Sequence, residues 1–143
     1  MASATSKPDW VSRPPRVGNI VTCRYPNDPK ARLRPCLVLG VAQGSAGGYA
    51  IHVAYGTKQL DKEKREAIDL IVENETEIGA CGIAIPTRFD LETTAALVWE
   101  PPEFDCWHGR YSPVLGTLPR DRQIDCAYKL RAIREKEAGG GRA

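Results

Sequence analysis

Apolar positions along the chain fall in short blocks of strand length rather than in long helical stripes. Residues 17–25 carry Val17, Ile20, Val21 and Cys23 and read as a first strand. Residues 26–34 mix Pro, Asn and Asp with Lys30, Arg32 and Arg34, which predicts a loop with a basic tip. The run Pro35-Cys-Leu-Val-Leu-Gly-Val41 is continuously apolar and predicts a central strand buried on both faces. A Gly/Ser-rich turn over 43–48 leads into residues 49–55, an alternating third strand that ends at Gly56-Thr57.

The second half is less regular. Residues 59–66 are highly charged and fit either a short helix or an exposed loop. Residues 67–72 predict a fourth strand, and 83–85 and 95–99 further short ones, with 86–91 between them. Pro101-Pro102 interrupts the pattern. Residues 103–116 then read as an aromatic-bearing loop with Phe104, Trp107 and Tyr111. Residues 119–137 are the one clear helix. Pro119 suits its first turn, and Ile124, Ala127, Leu130 and Ile133 form a drifting apolar stripe beside Tyr128. The glycines at 139–141 are expected to end it. Pro8, Pro14 and Pro15 mark residues 1–16 as a flexible arm, disordered or loosely docked, and residues 138–143 read as a disordered tail. Short strands with one terminal helix predict a small, mainly β barrel or a strongly bent sheet, in a single domain over 17–137.

Composition narrows this only a little. A chain of 143 residues, 42% apolar and 27% charged, fits one domain with a core of its own. No run approaches the roughly 18 apolar residues of a membrane helix, and the N-terminus lacks a signal-type apolar stretch, so a cytoplasmic protein with no membrane partner is expected. The five cysteines form no CxxC pair and are odd in number. They read as reduced, buried residues rather than as a disulfide framework or a zinc site.

The net charge of +2 is unevenly spread. Residues 1–40 hold seven Lys and Arg against two Asp, and residues 61–105 hold twelve acids against four bases. Residues 119–143 hold seven bases against four acids. Such segregation fits a basic face suited to phosphates, or equally a set of solvated charges on different faces.

Three segments carry a resemblance. The opening Val17-Gly-Asn-Ile-Val-Thr-Cys-Arg-Tyr-Pro26 is followed by the basic loop and by Arg34-Pro-Cys-Leu-Val-Leu39. Residues 49–57 follow as a strand ending in Thr, and then Pro86-Thr-Arg-Phe-Asp-Leu91. In this order they resemble the MazF/PemK toxins over roughly residues 17–100. The resemblance implies an SH3-like small barrel (MazF/PemK/CcdB-like) with a C-terminal helix, usually as a homodimer. It also implies the toxin half of a type II toxin–antitoxin pair, bound by a cognate antitoxin protein. Its activity would be metal- and cofactor-independent cleavage of single-stranded RNA by 2′-hydroxyl attack. By position Arg34 matches the catalytic Arg and Thr57 its hydroxyl partner, with Arg24, Lys30, Arg32 and Arg88 as substrate-binding candidates.

The chain departs from the pattern at Asn19, where the family carries Asp, and at Gly82 and Ala84, where PemK members carry an Arg-x-Asp pair. An alternative reading is therefore a catalytically inactive barrel that binds nucleic acid or protein as a regulator or phage-encoded interference protein. Other chemistry-bearing residues have plainer readings beside sharper ones. His52 is a general-base candidate or an outward strand residue. Tyr25, Tyr55, Trp107 and Tyr111 are base-stacking candidates or core. Cys106-Trp107-His108 lacks the second ligand pair a metal site needs.

Overall fold

The three apolar blocks of the first half pair as an antiparallel meander. Strand β1 is Asn19–Arg24, β2 is Leu33–Gln43 and β3 is Tyr49–Thr57. The computed structural model describes residues 7–26, 28–60 and 68–140. Further along are β4 (Asp69–Val72), helix α1 (Glu75–Cys81), β5 (Thr87–Val98), β6 (Val114–Thr117) and helix α2 (Arg120–Gly140). The strands form one curled, antiparallel sheet in the order β4-β5-β3-β2-β1-β6. The molecule is thus mainly β, a six-stranded half-barrel with a C-terminal helix, as the pattern predicts at this coarse level.

The sheet is covered on both faces, which explains the unbroken apolar run in β2. One face packs Ile20, Leu37, Ala54, Leu70 and Phe89 against Cys81, Ile83, Leu118 and Cys126. The other packs Val21, Cys23, Cys36, Val38, Ile51 and Val53 against Trp10, Trp99 and Phe104. Alternate residues of β2 and β3 therefore go to opposite cores, so neither strand has a solvent face over its middle.

The gap between the two edge strands is spanned by helix α1. The Asn74 side chain accepts the Glu77 N–H at its N-terminus, and Gly82 ends it in the left-handed conformation, φ 71°. Gly82 sits against the Leu115 backbone of β6, and Gly116 of β6 sits against the backbone of Ala80 and Cys81. Any side chain at either glycine would force these elements apart. Helix α2 then lies along β4. Lys129 Nζ donates to the Asp69 carbonyl at 2.8 Å, and an Arg122 Nη donates to the Ile71 carbonyl. Two basic side chains thus occupy main-chain acceptors of the edge strand β4. Among the described residues no helix is long and apolar enough to cross a membrane.

Several expectations need correction. Residues 7–16 do not form a free arm: Trp10 is 4% exposed, edge-on to Trp99 at 5.0 Å, and its carbonyl accepts the Trp99 indole N–H. A buried aromatic outweighs the local prolines. Of the short strands expected, 83–85 is the irregular exit from α1, and 95–99 is the end of one twelve-residue strand, β5, that also takes in most of 86–91. A wide bulge at 91–93 hides the continuity of β5, since β3 passes from pairing Thr94 at Ala54 to pairing Asp90 at Tyr55. Strand β6 takes up the end of the segment read as loop.

In α2 the stripe facing the core is Cys126, Leu130 and Ile133, whereas Ile124 and Tyr128 are 51% and 69% exposed. The helix continues through Ala138 to Gly140, past the expected tail boundary. Most of the charged segment 59–66, with residues 1–6 and 141–143 of the termini, lies outside the described residues. Cys23 and Cys36 are not reduced but joined as a disulfide, with Cα atoms 6.5 Å apart. Cys23 pairs with Arg34 and Cys36 with Val21, which makes the two cysteines diagonal neighbours on one face of the hairpin. Cys81, Cys106 and Cys126 remain free thiols.

Candidate nucleic-acid interface

The hairpin between β1 and β2 carries the basic loop, and one carboxylate shapes it. Asp28 Oδ1 accepts the Lys30 N–H at 3.0 Å and Oδ2 accepts the Arg32 N–H at 3.2 Å. The Asp28 carbonyl accepts the Ala31 N–H, closing a turn in which Ala31 takes the left-handed conformation at φ 48°. The same Oδ2 meets the Nε atoms of Arg32 and Arg34, each at 3.4 Å. Its carboxyl is held below the ordinary value, foremost by the Lys30 N–H and then by the Arg32 N–H and guanidinium.

Arg34 lies between this carboxylate and an aromatic stack. Its guanidinium carbon is 5.7 Å from the centre of the Tyr25 ring, and Tyr25 stacks on Tyr55 at 3.5 Å with 7° between the planes. The Tyr25 hydroxyl accepts the Gly56 N–H and reaches the carbonyls of Pro35 (2.9 Å) and Gly56 (3.0 Å). It has one proton to share between those two carbonyls. Burial pushes its ionisation well above the ordinary range, so it acts as a neutral clamp across β2 and β3. Gly56 is required there. A Cβ would lie 2.7 Å from the Pro35 carbonyl oxygen and 2.9 Å from the Phe89 ring.

Together Tyr25, Asp28, Pro29, Lys30, Arg32, Arg34, Tyr55 and Thr93 line an open cleft of about 410 Å³. Three cations face one carboxylate, and Lys30 has no ion-pair partner among the described residues. Thr93 reaches the cleft because Asp90 shapes the β5 bulge, accepting the Glu92 N–H at 2.9 Å and the Thr93 hydroxyl at 2.7 Å.

The six residues singled out from sequence are thus only partly brought together. Lys30, Arg32 and Arg34 converge. Thr57 lies at the end of β3, on the same face as Tyr55, with its Oγ1 accepting the Gln59 N–H at 3.2 Å. The last β2–β3 pair is Cys36 opposite Tyr55, and Arg34 and Thr57 each lie two residues beyond it, past the point where the Tyr25 hydroxyl bridges the two strands. Arg88 pairs with Thr57 across β3–β5 but is 11% exposed and bound to the buried Asp69 at 3.1 Å. Arg24 turns away, donating to the Pro102 carbonyl at 2.7 Å. His52 shares the opposite face with Arg134 of α2, and burial followed by that positive charge lowers its pKa. Among the described residues no cluster of three or more His, Cys, Asp or Glu is placed to hold a metal ion.

Sequence reasoning missed Asp28 and Thr93. The Asn-Asp-Pro-Lys tetrapeptide at 27–30 is a turn signal that points to Asp28. Nothing local points to Thr93, which depends on a bulge between strands distant in sequence. No family model matches the chain, and no curated protein matches it.

Proposed function

We propose that this chain is an SH3-like barrel of the MazF/PemK type that binds single-stranded RNA in the basic cleft and cleaves it without a metal. The observation that carries the reading is Arg34, a guanidinium fixed by Asp28 and the Tyr25 ring at the mouth of a net-positive cleft. Such a group offers paired N–H donors to phosphate oxygens and keeps its charge at every relevant pH. In the proposed reaction the ribose 2′-oxygen forms a bond to the adjacent phosphorus and the bond to the 5′-oxygen breaks. The 2′-hydroxyl proton is transferred in the course of this exchange and the leaving 5′-oxygen ends as a hydroxyl. The product is a 2′,3′-cyclic phosphate. Arg34 stabilises the charge that develops on the non-bridging oxygens, and Thr57, at the end of β3, donates a hydroxyl hydrogen bond to the same phosphate. Lys30 and Arg32 hold flanking phosphates. A cognate antitoxin with an acidic tail would be drawn to the same loop by charge, and a homodimer is the expected assembly.

One observation favours the second reading, a non-catalytic nucleic-acid-binding module. The Thr57 hydroxyl lies outside the cleft lining, and His52 is on the other face. Incubating the purified chain with long single-stranded RNA in excess EDTA separates the two. The endoribonuclease gives discrete cuts with cyclic-phosphate ends, slowed about 100-fold or more by Arg34→Ala and weakened by Thr57→Ala. Binding that falls steeply with salt, with no cleavage by the folded chain, establishes the module instead.

A further inference from the structure

The segment 103–113 is anchored at its root and displays two aromatic rings at its tip. At the root Phe104 is fully buried and bridges to Cys23 of β1, and the Thr22 hydroxyl donates to the Asp105 carbonyl. The Arg24 backbone N–H donates to the Glu103 carbonyl at 2.7 Å. Beyond this anchor the chain turns sharply. The Arg110 N–H donates to the Trp107 carbonyl at 3.0 Å, with Gly109 at φ 84° in the third position of the turn, as a type II turn requires. The Trp107 indole N–H donates to the Leu33 carbonyl at 3.3 Å, which ties the turn to the backbone between Arg32 and Arg34. Trp107 is 36% exposed and Tyr111 is 95% exposed, whereas Trp10 and Trp99 are buried at 4% and 1%.

We infer that Trp107 and Tyr111 form a stacking wall for unpaired bases of the strand whose phosphates lie in the basic cleft. The inference rests on the RNA-binding reading above and extends it to a segment with no counterpart in the resemblance. Both rings are exposed, and cations are their neighbours in the chain or across the hydrogen bond to Leu33. Arg110 lies within the turn, and Arg32 and Arg34 flank the residue that holds Trp107. Alternation of stacking faces and phosphate-binding cations is the recurring device of proteins that grip single strands without reading a long sequence. The hydrogen bond to Leu33 fixes the indole in place before any ligand arrives, and the type II turn sets Arg110 and Tyr111 just after it. Base contact and phosphate contact are thereby coupled through one main-chain carbonyl.

The test uses the full chain and a 2′-O-methyl oligouridine of roughly eight nucleotides, which cannot be cleaved, beside an abasic oligomer of equal length. Because Trp107 is the exposed one of three tryptophans, stacking is read as quenching of intrinsic fluorescence, and affinity by anisotropy of labelled oligomer. Quenching by oligouridine but not by the abasic strand is expected. Binding should be about 5- to 100-fold weaker in Trp107→Ala and in Tyr111→Ala, with most affinity kept by Trp107→Phe. Near-ultraviolet circular dichroism from the buried Trp10–Trp99 pair checks that each variant is folded. Normal binding with no quenching and no effect of Trp107→Ala overturns the stacking wall and leaves the RNA-binding cleft standing, provided Arg34→Ala weakens binding. Absence of binding by the unmodified chain overturns both.

Discussion

At Asp28 a single carboxylate accepts two backbone N–H groups and meets two guanidinium groups, so its ionised form holds the shape of the basic loop. Its pKa is lowered on folding, which means the ordering it provides is complete above the unfolded value near 3.8 and is lost as pH falls through the lower folded value. The Lys30 and Arg32 amide resonances should therefore move together below pH 3.8 in the native chain and show no such titration in Asp28→Asn. Gly56 is the other residue on which the site depends. Its neighbours leave no room for a methyl group, so Gly56→Ala should destabilise the fold by about 1–3 kcal/mol in thermal or urea melts and loosen the Tyr25 clamp. In the sequence Arg34 stands out only through the resemblance carried by Arg34-Pro35. The carboxylate that aims it does not stand out, because an Asp in a turn reads as one more polar residue until its acceptors are assigned.

Among the elements, α2 shows how a helix can be required without a strongly amphipathic sequence. Arg122 and Lys129 occupy the Ile71 and Asp69 carbonyls of β4, and Arg122 also pairs with Glu77 of α1 at 3.4 Å. Arg122→Ala or Lys129→Ala should each cost about 1–3 kcal/mol by urea unfolding, since each strips a charged partner from a main-chain acceptor. The double variant, with β4 uncapped, should also associate more readily at high concentration, a change that light scattering would read. Both residues look in sequence like part of a solvated basic helix face. The meander β1–β3 was readable because burial on both sides writes continuous apolar runs. Strand β5 was not, because its bulge places the polar Glu92, Thr93 and Thr94 in the middle of one strand and splits it in two by pattern. Helix α1 has a capping signal, Asn74 three residues before Glu77, but spans only seven residues and offers little periodicity to read.

In the molecule as a whole, two cores sandwich one sheet, and the second is completed by parts that look dispensable in sequence: the proline-rich N-terminal stretch with Trp10, and the segment holding Trp99 and Phe104. Charge segregation along the chain does not map onto simple faces, since Arg88 is spent on Asp69 and Arg122 on the edge of β4. The cysteine pairing was hidden for a similar reason. Cys23 and Cys36 are 13 positions apart in the chain, and only the hairpin register makes them neighbours. That bond has a covalent consequence for the basic loop, which is enclosed in a ring. Trypsin can cut after Lys30 and after Arg32, both exposed, whereas Arg34 is followed by Pro35. A chain nicked at either point should still travel as one species of unchanged mass plus one water under non-reducing electrophoresis. It should part into two fragments only once a reductant opens the ring.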